Sequence, residues 1–324
     1  MLLEVENLSI EFRTEDGWVR AVDGISFSIE KGTTVGLVGE SGCGKSVTSL
    51  SLLGLLSKKS ARVTGKILLE GRDLAQLGHD EMQQVRGKKM AMIFQEPMTS
   101  LNPVFSIGDQ IAEGIEIHFP ELSKGVVRER VISLLKKVGI SEPERRYSEY
   151  PHQMSGGMRQ RVMIAMALAC NPEILIADEP TTALDVTIQA QILDLIRSLQ
   201  KEFGMTVLLI THDLGVVAEM VSRVIVMYAG KIVEEASAKE LFSNPLHPYT
   251  KGLLASVPKM TKEFGKRGLL KGIPGSVPDL RSLPSGCRFH ERCDFVKDHC
   301  RRETPFLEQK AERHLGACFE VPKL

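Results

Sequence analysis

The stretch Gly39-Glu40-Ser41-Gly42-Cys43-Gly44-Lys45-Ser46 decides the fold class of this chain. It fits the pattern G-x-x-x-x-G-K-[ST] and directly follows the apolar run from Val35 to Val38. Glycines let the backbone curl so that successive N–H groups point inward at the start of a helix, where the helix dipole adds positive potential. We therefore predict a phosphate-binding loop between a strand and a helix. A glycine-rich turn that happens to contain Lys-Ser is the alternative.

Within this loop, Lys45 is predicted to reach the outer phosphates of ATP, and the Ser46 hydroxyl is predicted to ligate Mg²⁺. Cys43 stands at a variable place of the motif and is interpreted as a small spacer, not as a nucleophile. The predicted nucleotide-binding residues of this segment are Gly39, Ser41, Gly42, Cys43, Gly44, Lys45, Ser46 and Val47.

A second motif, Ile174-Leu175-Ile176-Ala177-Asp178-Glu179, is an apolar strand that ends in two acids. Asp178 is predicted to hold the magnesium shell, and Glu179 is predicted to orient or deprotonate the attacking water. A surface turn after a core strand also ends in Asp-Glu at times, so the pair alone is weak. Together with the phosphate loop it predicts nucleotide hydrolysis.

The apolar pattern around these motifs predicts an α/β protein. Alternating apolar residues from Leu3 to Ile29, interrupted near Asp16-Gly17, are typical of half-buried antiparallel strands. Later apolar runs are continuous and short, as in strands of a parallel sheet covered on both faces. These runs are Val35 to Val38, Met90 to Phe94, Ile174 to Ala177, Val207 to Ile210 and Val224 to Met227. Thr187 to Phe203 is predicted to be a helix.

Between Pro97 and Ser155 the pattern predicts helices without strands, with Val127, Val131, Leu134 and Val138 on one helix face. The segment Met154-Ser155-Gly156-Gly157-Met158-Arg159-Gln160-Arg161 then opens a helical stretch predicted to run to Cys170. Ser155, Gly156 and Gly157 therefore lie at a helix N-terminus, which is a second potential anion site.

Composition narrows the class of protein. The 41 Lys and Arg residues balance the 41 Asp and Glu residues, so no overall field draws the chain to nucleic acid or to an anionic bilayer. Its apolar runs are far shorter than the roughly 20 residues of a spanning helix, and its start lacks a secretory signal pattern. We expect a protein of the cytosol, where thiols are kept reduced.

Ser-Gly-Gly followed by Asp-Glu, after the phosphate loop, resembles the signature of the ABC ATPase family. The resemblance implies two cassettes that face each other, each signature closing on the nucleotide held by the opposite phosphate loop. It also implies roles for four further positions. Gln95 would be the glutamine that links magnesium and water to the helical insertion, and Asp185 would belong to the D-loop Thr182-Ala183-Leu184-Asp185. His212 would contact the γ-phosphate, and Phe12 would stack on adenine, with Trp18 as the weaker choice. A glutamine or histidine alone at a strand end is usually structural.

The branch of the family is indicated by two further features. Met158 stands where many ABC proteins have glutamine, and the reading Ser-Gly-Gly-Met-Arg-Gln-Arg resembles importers of the oligopeptide/dipeptide class. The tail segments Asn244 to Thr250, Pro274 to Pro278 and Gly286 to Phe289 resemble the C-terminal extension of peptide and nickel importer ATPases. Resemblance thus implies an ATPase that drives peptide import. Nickel and glutathione are alternative substrates that these residues do not separate.

The tail carries a group of four cysteines. Cys287, Cys293, Cys300 and Cys318 are separated by five, six and seventeen residues. The reducing compartment disfavours disulfides, the usual zinc-hairpin spacing is absent, and the spacing of ferredoxin clusters is not matched. A [4Fe–4S] cluster is implied by the resemblance to dipeptide importer ATPases, with Zn²⁺ or free thiols as alternatives. His290, His299 and His314 are candidate substitute ligands.

The resulting prediction is a RecA-like P-loop NTPase core with an antiparallel β subdomain, a helical insertion and a Cys/Pro-rich extension. Its boundaries are residues 1–240 for the nucleotide-binding domain, with the helical insertion at about 97–165, and 241–324 for the extension. The implied partners are two integral-membrane permease subunits, a second and paralogous ATPase subunit in a heterodimer, and indirectly an extracytoplasmic peptide-binding protein, at the cytoplasmic face of the membrane. Nucleic acid is not an expected partner. The rival class is a soluble ABC ATPase that acts on ribosomes or DNA, and a purely structural metal-binding module is the third.

Overall fold

The computed structural model describes residues 1–95, 100–182, 184–257 and 272–321. It divides into two compact units. Unit 1 comprises residues 1–30, 34–75 and 210–324, and unit 2 comprises residues 31–33 and 76–209.

Unit 1 contains two sheets. Its strands are β1 (Leu3–Thr14), β2 (Gly17–Ile29), β3 (Thr34–Val38), β4 (Ala61–Leu69), β5 (Arg72–Asp73), β9 (Arg223–Tyr228), β10 (Lys231–Ser237), β11 (Glu308–Ala311) and β12 (His314–Gly316). Its helices are α1 (Lys45–Leu52), α8 (Leu214–Met220), α9 (Ala238–Ser243) and α10 (Pro248–Ala255), and 3-10 turns lie at His290–Arg292 and Asp298–Arg301.

The first sheet of unit 1 is antiparallel, in the order β2-β1-β4-β5. β1 and β2 meet at a turn where Thr14 pairs with Gly17, as the Asp16-Gly17 signal predicts. The inward-facing residues Leu3, Ile10 and Val22 are fully buried, which is why the alternating pattern was visible in the sequence.

The second sheet of unit 1 has the order β11-β12-β10-β9-β3. β3 and β9 are parallel, and all five residues of β3 are buried, because the strand is covered on both faces. β10 returns antiparallel to β9, and the hairpin of β11 and β12 extends the sheet at the edge of β10. The sequence pattern of the tail did not predict this hairpin. Its presence shows that regular structure resumes after the proline-rich start of the extension.

Unit 2 combines parallel strands with the helical segment. Its elements are α2 (His79–Val85), β6 (Met90–Ile93), α3 (Ile107–His118), α4 (Lys124–Lys137), α5 (Pro143–Arg146), α6 (Gly156–Leu168), β7 (Ile174–Asp178), α7 (Val186–Phe203) and β8 (Thr206–Thr211), whose last two residues belong to unit 1. Its strands follow the order β8-β7-β6, and β6 and β7 are parallel.

The helical segment matches its prediction closely. Val127, Val131 and Leu134 are buried on one face of α4, and Val138 is buried at its C-terminal cap. Within the described residues from 100 to 165 there is no strand. Two predicted ends are wrong by one or two residues: β6 stops before Phe94, which is exposed, and α6 stops at Leu168 rather than Cys170.

Among the described residues, none of the helices combines the length and apolarity that crossing a bilayer requires. The predicted boundary at residue 240 falls inside α9 and inside unit 1. Pro97 and Ala183, and the tail residues from 258 to 271, lie outside the described residues.

Candidate functional site

The phosphate-binding loop lies between β3 and α1, as predicted. Gly44 has φ +105°, and a Cβ atom there would lie 2.9 Å from the carbonyl oxygen of Ala21. At Gly39 a Cβ atom would meet the carbonyl oxygen of Met227 at 2.2 Å. These two positions accept only glycine, because a side chain would push the loop off β2 and β9.

Lys45 is held inside the loop. Its Nζ donates to the carbonyl oxygens of Gly39 at 2.7 Å and of Glu40 at 3.0 Å, and the residue is 5% exposed. An ammonium group has three protons, and Cys43 Sγ lies 3.6 Å from Nζ as a third acceptor, so the arrangement fixes the cation within the loop. The loop backbone therefore wraps around a preplaced positive charge.

The neighbouring loop residues differ in exposure. Ser41 and Gly42 are exposed, Ser46 and Val47 are half-buried, and Cys43 is fully buried. Burial raises the pKa of the Cys43 thiol, so it stays protonated. Cys43 is thus a packed spacer, as predicted.

Two other predicted nucleotide residues also belong to unit 1. Phe12 is half-buried in β1, opposite Val19 and Ala61, while the guanidinium of Arg62 lies 3.8 Å from the ring centre of Trp18. His212 is exposed directly after β8. Asp213 follows it and caps α8, so the turn that carries His212 is fixed by hydrogen bonds.

The acid pair lies in unit 2 at the carboxyl end of β7. Asp178 is 3% exposed. Glu179 has φ +46°, an uncommon conformation for a residue with a side chain, and its Oε2 accepts hydrogen bonds from Gln95 Nε2 at 3.0 Å and from Thr182 Oγ1 at 2.9 Å. The structure thus brings Gln95 and Glu179 together across 84 residues of sequence.

The predicted second anion site also lies in unit 2. Ser155 caps α6 by accepting from the N–H of Met158, and Ser155 and Gly156 are exposed. A Cβ atom at Gly157 would lie 3.1 Å from Ile188, so the start of α6 packs against the start of α7, which Asp185 caps. Buried Gln160 donates to the carbonyl of Pro180 at 2.6 Å, which ties α6 to the acid pair.

The four tail cysteines converge in unit 1. Cys287, Cys293, Cys300 and Cys318 line one cavity of about 20 Å³, and all four are free thiols. Burial raises the pKa of Cys287 to about 11 and also raises the pKa values of Cys293 and Cys318. The four cysteines therefore line one small space, and cysteine thiolates are ligands that both zinc ions and iron–sulfur clusters take.

The three tail histidines have separate surroundings. His290 Nδ1 lies 2.9 Å from the carbonyl oxygen of Cys287. His299 lies 3.2 Å from Glu320, and these two with Cys300 bring donor atoms within 4.8 Å of one another. His314 lies 2.8 Å from Glu234, and both are buried, so it serves the fold rather than the cysteines.

Residues that sequence reasoning missed surround Glu40 of the phosphate loop. Arg292 donates to both carboxylate oxygens of Glu40, at 2.7 and 3.0 Å, and the N–H of Glu40 donates to the hydroxyl of Tyr249 at 2.8 Å. Glu40 occupies a variable position of the motif and its partners lie over 200 residues away, so no local signal marks them.

The residue types at these sites indicate which ligands and metal ions the chain can bind. In unit 1, Ser46 offers a hydroxyl oxygen and the loop around Lys45 offers amides and a cation that bind phosphate; in unit 2, Asp178 and Gln95 offer oxygens of the kind that Mg²⁺ prefers. The donor chemistry therefore fits a nucleoside triphosphate with magnesium.

Comparison with known proteins defines the class first. A family profile described as ABC transporter matches residues 22–182. A dimeric ATP-binding cassette, solved in a post-hydrolysis state with ADP and phosphate, superposes with a TM-score of 0.66 at 28% identity, over 73% of this chain and 98% of that one. The chain belongs to the ABC transporter family, and the predicted P-loop NTPase fold is confirmed.

The branch follows from the tail and from curated relatives. The profile of the oligopeptide/dipeptide transporter C-terminal region matches residues 233–300. A probable peptide ABC transporter ATP-binding protein of Sinorhizobium fredii is 53% identical over 98% of this chain and 95% of its own length. The dipeptide transport ATP-binding protein DppD of Bacillus subtilis is 51% identical, over 98% and 94%. The predicted resemblance to ATP-binding subunits of this branch is confirmed.

Proposed function

We propose that this chain is the ATP-hydrolysing subunit of an ABC importer that takes up di- or oligopeptides. In this proposal Lys45 and the loop amides bind the phosphates of ATP, Ser46, Asp178 and Gln95 hold magnesium, and Glu179 positions the attacking water. Magnesium supplies charge neutralisation of the phosphates. Phe12 stacks on adenine and His212 contacts the γ-phosphate.

The observation that carries the catalytic part is the hydrogen-bonded group at the end of β7. Glu179 accepts from both Gln95 and Thr182, beside buried Asp178. A carboxylate fixed by two donors has a defined direction, and a base must be aimed before it is useful. Gln95 is thereby suited to sense whether a nucleotide is bound.

Glu179→Gln tests this assignment. The amide keeps the shape of the side chain but removes the base, so ATP binding should remain while turnover falls at least about a hundredfold, the usual contribution of a general base. Glu173→Gln is the matched control, since Glu173 lies just before the other end of β7 and pairs with Lys89. Full hydrolysis by the Glu179 variant would remove that residue from its role.

Transport requires a second cassette and membrane subunits. The exposed Ser155 and Gly156 at the start of α6, with Asp185 nearby, are suited to close on nucleotide held by a facing, paralogous subunit. Closure would draw the helical segments together and reorient two permease subunits. The subunit would then lie at the cytoplasmic face of the membrane and receive substrate indirectly from an extracytoplasmic binding protein.

Co-purification distinguishes this proposal from the ribosome- or DNA-linked alternative. Tagged chain extracted in mild detergent should bring two integral-membrane proteins and a second ATPase with it. Recovery with ribosomal proteins instead would overturn the importer assignment. In reconstituted vesicles, labelled dipeptides or oligopeptides should stimulate ATP hydrolysis. If only nickel or only glutathione stimulates it, that compound is the substrate and peptide import is refuted.

For the four cysteines we propose a [4Fe–4S] cluster, with a single Zn²⁺ as the alternative. Support comes from four free thiols lining one cavity in a cassette of this branch. Bound there, the cluster would cross-link the segments that carry the cysteines. Protein purified without oxygen should contain about four iron and four sulfide per chain; stoichiometric zinc without sulfide would exclude the cluster.

The domain arrangement forms part of the same proposal. Residues 1–240 make the cassette, with the helical insertion at about 97–165, and residues 241–324 make the extension that carries the cysteines. β12 of the extension pairs with β10, the last strand before the proposed boundary, so the extension continues the sheet of the cassette.

A further inference from the structure

The tail reaches the phosphate loop through one arginine. Arg292 has a side chain that is only 5% exposed, and its two terminal nitrogens meet the two carboxylate oxygens of Glu40 as a fork. Its Nε donates to the carbonyl of Pro274 at 2.8 Å. All three nitrogens therefore have partners, and the guanidinium has a defined position.

Glu40 connects Arg292 to the ammonium group of Lys45. Its carbonyl oxygen accepts from Lys45 Nζ at 3.0 Å, and its N–H donates to the hydroxyl of Tyr249. Burial raises the pKa of Tyr249, so the hydroxyl stays neutral and serves as a fixed acceptor. Arg292 and Tyr249 thus hold Glu40 from the tail side, while Glu40 holds Lys45.

The Arg292–Glu40 pair also affects the charge of the phosphate loop. Glu40 places a carboxylate in a loop that must bind a polyanion, and like charges within about a Debye length of 8 Å repel each other. Arg292 neutralises that carboxylate. Without the arginine, the loop would meet the phosphates with an uncompensated negative charge.

The position of Arg292 depends in turn on the segment from Cys287 to Cys318, called the cysteine segment below. It ends the 3-10 turn His290–Arg292, which stands between Cys287 and Cys293, and its N–H donates to the carbonyl of Phe289 at 3.0 Å. Whatever fixes the two cysteines therefore fixes the arginine between them.

We infer that Arg292 is a positioning residue for the phosphate loop and that the four-cysteine segment thereby controls the affinity of the chain for ATP. This inference rests on the proposed nucleotide site at Lys45. The tail thus restrains the phosphate loop through the Arg292–Glu40 pair, and this restraint is the clamp that the following experiment tests.

A double-mutant cycle on the full-length protein tests it, with MgATP binding measured by titration of a fluorescent ATP analogue. Arg292→Gln should weaken binding about tenfold, which corresponds to about 1.4 kcal/mol. Arg292→Lys, which keeps the charge but loses the fork, should recover part of the affinity. In a Glu40→Gln background the Arg292→Gln change should have little further effect, because the carboxylate that receives the two-nitrogen fork is already gone.

Controls separate the possible failures. Arg288→Gln removes an arginine of the same cysteine segment that pairs with Asp23, and it should leave ATP affinity within about twofold. Lys45→Ala should abolish binding; if it does not, the proposed nucleotide site is wrong. If Arg292→Gln weakens binding equally in both Glu40 backgrounds, or leaves it unchanged while Lys45→Ala abolishes it, the clamp is refuted and the nucleotide site stands.

Discussion

Glu40 shows how single residues in this protein serve several partners at once. Its N–H, carbonyl oxygen and carboxylate face Tyr249, Lys45 and Arg292 respectively. Glu234 is a buried counterpart in β10: it accepts from His314 and from the backbone N–H groups of Leu246 and His247. Burial opposes the charge of Glu234, but these hydrogen bonds outweigh it and lower its pKa.

His247 makes the stability of the protein depend on pH. It is fully buried at the start of α10, and burial lowers its pKa from 6.5 to about 4, although Glu234 opposes the shift and Lys251 adds to it. Above pH 6.5 both folded and unfolded chains leave it neutral. Between pH 6.5 and 4 the unfolded chain binds a proton that the folded chain does not, so stability falls as pH falls.

We therefore expect about 2 kcal/mol of unfolding free energy to be lost through His247 between pH 7 and pH 5. His247→Asn keeps an N-cap acceptor but cannot titrate, so it should flatten this dependence. Urea unfolding of both proteins at the two pH values measures the difference. An equal loss in the variant would contradict the assignment.

At the scale of elements, amphipathic packing explains the helical segment of unit 2. α4 begins at Lys124, after Ser123 accepts from the N–H of Val126, and Lys136 and Lys137 lie in its last turn, where cations suit the helix dipole. One apolar face is buried and the other is charged. Such a helix is stabilised mainly by what its buried face contacts.

Two valines of α4 give a matched test. Val131 is fully buried and Val126 is 47% exposed. Val131→Ala should cost about 2 kcal/mol of unfolding free energy, because it removes two buried carbon atoms and leaves a cavity, whereas Val126→Ala should change it by less than about 0.5 kcal/mol. Chemical denaturation decides between them; similar losses would mean that the helix face is wrongly assigned.

At the scale of the whole molecule, the described residues of the tail belong to unit 1. β11 and β12 extend the sheet of β10, and Tyr249 and Phe289 pack against Tyr228 of β9 with ring centres 4.6 and 5.1 Å away. Arg288 pairs with Asp23 of β2. Loss of order in the cysteine segment should therefore spread into the sheet.

Cys300→Ser tests that expectation. Cys300 is buried and lines the cavity of the four cysteines, so its loss should abolish binding of the proposed metal or cluster and lower Tm by several degrees, as a loss of a few kcal/mol does in a protein of this size. Cys170→Ser is the control: Cys170 is equally buried but lies in unit 2, where it donates to the carbonyl of Gly114. Equal Tm values for Cys300→Ser and wild type would show that the cysteine segment does not hold unit 1 together.

The sequence by itself determined whatever depends on neighbours along the chain. The phosphate loop occupies eight consecutive residues, the acid pair ends one strand, and the periods of β1, β3 and α7 are visible in single windows. Each signal is local, because a turn, a cap or a buried face imposes its residue types within a few positions.

Only the tertiary structure decided the contacts that join distant segments. Arg292 is 252 residues from Glu40, His314 is 80 from Glu234, and Gln95 is 84 from Glu179. The β11–β12 hairpin was likewise invisible, since its strands are short and its partner β10 lies far earlier in the chain. Side-chain fork geometry and edge pairing depend on which surfaces meet after folding, and residue order along the chain carries no local record of that.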